Sequence, residues 1–132
     1  MQPRIDKGNI EYFVDIFPAF HQGQKRDCIQ FQFETKEEFS HFQYRIAIDE
    51  AVKGRVINIH LRGLKTKGVF LPSSGKAAGS ICLFDLAGTY RVNVYKPGQH
   101  SNAFEIAVSE DKVKLVHLLK HDSKFLEISV RS

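Results

Sequence analysis

Residues 84–95 read Phe84-Asp85-Leu86-Ala87-Gly88-Thr89-Tyr90-Arg91-Val92-Asn93-Val94-Tyr95. A tight turn at Ala87-Gly88 leads into a run where Tyr90, Val92 and Val94 fall two apart and share one face of a strand. Lys96-Pro97-Gly98-Gln99 is a turn signal, and a second alternating run, Phe104, Ile106 and Val108, follows it. Two alternating runs divided by turn residues predict a pair of strands.

The same period of two extends outward in both directions. Ile29, Phe31 and Phe33 alternate with Gln30, Gln32 and Glu34, which describes a strand with one dry face and one wet face. Phe42, Tyr44, Ile46 and Ile48 alternate in the same way, as do Ile57, Ile59 and Leu61, and later Leu126, Ile128 and Val130. Further strands are expected over Ile10 to Phe17, Val69 to Leu71, Ser80 to Phe84 and Val113 to Leu119. Gly54, Pro72-Ser73-Ser74-Gly75, Ala87-Gly88, Pro97-Gly98 and His121-Asp122-Ser123 punctuate the runs at the spacing of an all-β domain. The one helical temptation, Lys36 to His41, is long enough for a single turn. Val113 to Lys120 also admits a helical reading, but its Val and Leu content and its place between turns favour a strand.

The run Gly88-Thr89-Tyr90-Arg91-Val92-Asn93-Val94 resembles the tyrosine corner and following strand of immunoglobulin-like and fibronectin-type-III-like sandwiches. The resemblance implies a Tyr90 ring at the edge of the core and a hydroxyl that satisfies backbone at a corner. Ser101 to Ile106 looks like the final paired strand of such a module, and Phe84 stands where the pattern usually has Leu. Leu86 and Val92 replace the acidic residue and cysteine of antibody-type domains, and two more strands follow Val108. The expectation is therefore one domain over residues 1–132, an all-β, antiparallel, Greek-key, immunoglobulin-like β-sandwich of eight to ten strands. Such a fold is nearly silent about function, because it hosts adhesion, carbohydrate binding, chaperoning and enzyme appendages alike.

The chain has 132 residues, enough for one core, and its 42% hydrophobic content is that of a globular protein. Eleven Phe with no Trp supply rings that need no hydrogen-bond partner and suit a buried interior. No apolar run approaches a membrane span. No signal peptide is visible, so a cytoplasmic chain is expected, or a secreted one from which a leader has been removed. The net charge is +4, and six basic residues (Lys53, Arg55, Arg62, Lys65, Lys67, Lys76) lie between Ala51 and Phe84 without one Asp or Glu. Arg62, Lys65, Lys67 and Lys76, around a small-residue loop from Lys65 to Ser80, are the candidate contacts for an anionic partner, a protein or an acidic polymer. Without a dense cationic run or interleaved Tyr and Trp, the segment gives no strong nucleic-acid signal.

Catalytic and metal signatures are sparse. His117 and His121 form an H-x3-H pair. On a helix it would present both rings to one ion, but on a strand the rings stand about 13 Å apart. They are weak metal candidates. His60 alternates outward, His21 falls in a loop, and His41 and His100 lie near turns. Cys28 and Cys82 fit neither a zinc pair nor a redox CxxC, leaving two buried thiols or one bridge across the sandwich. Glu37-Glu38 and Asp49-Glu50 suit capping and solubility better than cation binding. No nucleophile elbow or P-loop is present, and no cofactor is expected. The reading is a non-catalytic binding or protein-interaction module, with edge-strand pairing as its contact mode. The alternatives are a metal-dependent or other small enzyme, and a β-barrel with a ligand in an apolar interior.

Overall fold

The stretch around Tyr90 forms a strand whose alternation decides which way it faces: Tyr90, Val92 and Val94 are buried while Thr89 and Arg91 are exposed. The computed structural model describes residues 10–39, 44–66, 75–98, 100–110, 112–119 and 124–131. These form nine strands: β1 (Tyr12–His21), β2 (Arg26–Phe39), β3 (Tyr44–Lys53), β4 (Val56–Thr66), β5 (Gly75–Leu83), β6 (Gly88–Lys96), β7 (His100–Ser109), β8 (Lys112–Leu118) and β9 (Leu126–Val130). Among the described residues there is no helix, and so none long and apolar enough to cross a membrane. Lys36 to Phe39, the helical temptation, continues β2, and the rest of that segment lies outside the described residues, as does Val69 to Leu71.

The strands form one sheet in the order β8-β7-β6-β4-β3-β5-β2-β1-β9. Cα atoms of β8 come within 8 Å of β1 and of β9, so the sheet curls into a nearly closed barrel. The all-β class and the strand number are as expected. The pairing is not antiparallel throughout: β1 with β9, β4 with β6 and β3 with β5 run parallel. Parallel neighbours need a crossover connection. For β4 and β6, that crossover contains β5, which travels to the far side of β3 before the chain returns.

Inward-facing residues fill the space enclosed by the curled sheet. Phe31, Phe33, Phe104 and Phe125 are fully buried with Ile16, Ile57, Ile59, Leu61, Ile106 and Leu126. The alternating positions that carry them are those at which a sheet turns one face away from water.

Side chains complete the ladder where the backbone does not. The register of β2 on β5 shifts between Glu34 and Glu38. In that gap the buried Thr35 hydroxyl accepts from Ala77 N–H at 2.9 Å and donates to the Glu37 carbonyl at 2.9 Å. At the entry to β6, Gly88 has φ +99°, and a Cβ there would lie 2.8 Å from Arg55 Nη1. Glycine removes both problems. It admits Arg55, whose guanidinium donates to the Ala87 carbonyl and lies 5.1 Å over the Tyr90 ring. The Tyr90 hydroxyl accepts from Ala87 N–H at 3.1 Å.

Among the described residues, two strand junctions have a ladder of one pair or none. β3 and β5 share one registered pair, Arg45 with Ala78. Their backbones are close, since a Cβ on Gly79 would lie 2.5 Å from the Ile46 carbonyl oxygen. At the other break, β8 and β9 are the two ends of the sheet and form no ladder with each other. The start of β9 is tied in by the buried Asn102 of β7, whose Oδ1 accepts from Phe125 N–H and Leu126 N–H, both at 3.0 Å.

Candidate functional site

The outer face of the sheet at the β3–β5 break carries a hollow of about 400 Å³. Its size follows from small residues: Ala47 on β3 and Ala78, Gly79 and Ser80 on β5 leave room where longer side chains would lie across the sheet. Arg45 and Lys65 rim it, directly opposite each other in the β3–β4 register and both exposed. Asp49 stands four residues further along β3, and its carboxylate accepts from Arg62 Nε at 2.7 Å.

Of the four cations singled out in the sequence, the three that are described do not form one cluster. Lys65 is on β4 at the rim of the hollow, and Arg62 is beside it but paired with Asp49. Lys76 lies on β5, with its ammonium 5.6 Å from the centre of the Phe13 ring. Lys67 lies outside the described residues. Of the expected Lys65 to Ser80 loop, Lys65 and Thr66 belong to β4 and Gly75 to Ser80 to β5, and the residues between lie outside the described ones. Arg45 was missed. It sits beside Asp49-Glu50, outside the acid-free segment, and only the β3–β4 pairing brings it to Lys65.

An adjoining groove of about 500 Å³ is lined by His60, Arg62, Tyr95 and Lys96. His60 and Tyr95 are registered neighbours on β4 and β6, and their rings stack at 4.5 Å with 8° between planes. The outward alternation expected for His60 is what allows this stack. Lys96 is held by Glu11 at 2.6 Å.

The free end of the sheet at β8 has a different character. Val113 is buried, but from Lys114 to Leu118 every residue is exposed on both faces of the strand. Leu115, Val116 and Leu118 are 37%, 48% and 48% exposed. Lys112 and Lys114 precede them, and residues 112–119 contain no Asp or Glu. His117 is exposed opposite Glu105, and His121 lies outside the described residues. Among the described residues, no three His, Cys, Asp or Glu side chains gather where they could hold a metal.

Cys28 and Cys82 are free thiols on the neighbouring strands β2 and β5. They share the outer face of one region of sheet and do not span the interior. Burial, with a hydrogen bond to Cys82 after it, pushes the Cys28 thiol up to about 12. A thiol so far from ionisation is a poor nucleophile at neutral pH. Tyr12 is also raised, by burial first and then by Glu11.

No protein-family model matches the chain, and no curated protein or solved structure matches it either.

Proposed function

We propose that the chain is a non-catalytic binding module that takes an extended, acidic segment of a partner protein along the free edge of β8. The observation that carries this reading is the exposure of Leu115, Val116 and Leu118 on an edge strand whose only ladder, among the described residues, is with β7. Natural proteins protect such edges with charge, proline or a covering element, because unpaired N–H and C=O groups recruit another strand. Lys112 and Lys114 supply positive charge without an acidic residue in the strand. This favours a partner with Asp or Glu at alternate positions over a second copy of β8. An added strand would gain its affinity from backbone hydrogen bonds and its choice of partner from the side chains.

The fully buried Phe31, Phe33, Phe104 and Phe125 favour a ligand outside the sheet over one held within it. For the finer fold, we propose kinship with Greek-key, immunoglobulin-like sandwiches. The single β3–β5 pair supports it, because it divides the sheet into a five-stranded part, β8 to β3, and a four-stranded part, β5 to β9. The Tyr90 hydroxyl on Ala87 N–H supports it too. The parallel β4–β6 pair is the departure.

The test uses two synthetic peptides, alternating Glu-Val and alternating Lys-Val, titrated into the full chain. The Glu-Val peptide is expected to bind and to protect the β8 amides from exchange. Val116→Lys is expected to abolish that binding while leaving the folded spectrum intact. Equal binding of both peptides, indifference to Val116→Lys, or dimerisation of the chain through β8 would each overturn the reading.

A further inference from the structure

We infer that the hollow at the β3–β5 break is a binding site for a small organic anion, held through a carboxylate or phosphate group by Arg45 and Lys65. The first reason is their placement. The two residues are directly opposite each other on one face of an antiparallel pair, where Cβ atoms stand about 5 Å apart and like charges destabilise the sheet. A stability argument alone would not place two cations there.

The second reason is what the other arginines do. Among the described residues Arg26 is paired with Asp85, Arg62 with Asp49 and Arg131 with Asp15. Arg55 donates to the Ala87 carbonyl and Arg91 to Asn93. Arg45 alone among these arginines shows no hydrogen bond, ion pair or ring contact among the described residues. Its guanidinium fork is thus free, and it matches the two oxygens of a carboxylate or phosphate in a way that an ammonium does not.

The third reason is the hollow itself. At about 400 Å³ it is an open hollow large enough for a small molecule lying against the sheet. It therefore has room for the body that carries the charged group. Ala47 and Ala78 offer that body an apolar wall, and the Ser80 hydroxyl a hydrogen bond. Asp49 is already committed to Arg62, which limits its repulsion of an anion. No step of this inference depends on the β8 reading, so a chain can fail either test and pass the other.

The experiment titrates isotope-labelled full-length chain with inorganic phosphate and, separately, with glucuronate. Ionic strength is held constant with sodium chloride, and the backbone amides of residues 45–49 and 78–80 are followed. Saturable shifts confined to those amides are expected from at least one probe, and a tenfold preference names the group as phosphate or carboxylate. Arg45→Glu and Lys65→Glu should each weaken binding at least tenfold. Each should also raise the melting temperature by about 2 °C or more, because an opposed like-charge pair becomes an attractive one. Arg45→Gln, a shorter neutral side chain, should also weaken binding, with a smaller gain in melting temperature because it removes the repulsion without adding an attraction. Lys112→Glu should leave the titration unchanged. Shifts that never saturate with either probe, that chloride reproduces, or that survive both charge reversals overturn the site.

Discussion

The sheet is interrupted twice, at β3–β5 and at β8–β9, and the two breaks are sealed by different means. At β3–β5 the backbones remain close, with one registered pair and a glycine at the point of approach. The outer side chains there are small or cationic, with Asp49 the one acid among them. At β8–β9 no ladder exists, and a buried amide from a third strand carries the bond instead. The outer side chains there are apolar. The comparison teaches that the manner of closure dictates the surface left behind. Close backbone approach requires small residues and so makes a hollow. Closure from within by Asn102 leaves the edge of β8 unpaired.

The largest effect is expected at the β8–β9 break. Asn102→Ala removes the one acceptor serving two buried N–H groups, Phe125 and Leu126. Leaving such donors unsatisfied costs about 3 kcal/mol in all. Chemical denaturation measures the loss, and hydrogen exchange locates it: the β9 amides should lose protection before those of β2. Uniform loss across the sheet would show that Asn102 is merely a core residue. Next comes Gly79→Ala at the β3–β5 break. The added methyl meets backbone, the Ile46 carbonyl oxygen, and not a flexible side-chain tip. Overpacking of this kind costs about 1–3 kcal/mol. The change should widen the break and disturb the amides around Arg45 and Ala78. An unchanged midpoint would mean that the two strands separate freely.

Tyr90→Phe probes a part of the sheet away from either break. It keeps the buried ring but removes the acceptor for Ala87 N–H. The expected cost is about 1 kcal/mol, the net worth of a typical hydrogen bond, read as a lower denaturation midpoint. A loss as large as that of Asn102→Ala would show that the turn before β6, and not the breaks, limits stability.

Most of the strands were legible in the sequence because they carry their own period of two. Phe31 and Phe33, Ile57 and Ile59, and Val92 and Val94 announce their burial within a few residues. Asn102 was legible as well, though it was passed over. It is in phase with Phe104, Ile106 and Val108, so a polar group at an inward position needed a buried partner. The breaks were not legible, because a gap belongs to a pair of strands and is set by long-range register. Arg45 was hidden for the same reason, since an exposed arginine beside Asp49-Glu50 reads as solvated until Lys65 is placed opposite it. The loop expectation fails at Gly75 and Gly79, small residues that read as loop in sequence and belong to a strand. Both lie in β5, and Gly79 is there because the neighbouring backbone leaves no room for a side chain.

The smallest effect on stability, and the sharpest on the comparison, belongs to Asp49→Asn. Asp49 and Arg62 are 66% and 57% exposed along their side chains, and pairs so open to water contribute under about 1 kcal/mol. The denaturation midpoint should therefore barely move. The electrostatics of the β3–β5 hollow should move more, because the change removes the one acid lining it and frees the Arg62 guanidinium. Phosphate or glucuronate should then bind severalfold more tightly, with the difference shrinking as salt screens the added positive field. The β8 edge should be indifferent, with Glu-Val peptide bound as before. If Asp49→Asn leaves anion binding unchanged at low salt, Asp49 does not restrain the field at Arg45 and Lys65. The contrast between a cationic break and an apolar one would then rest on those two residues alone.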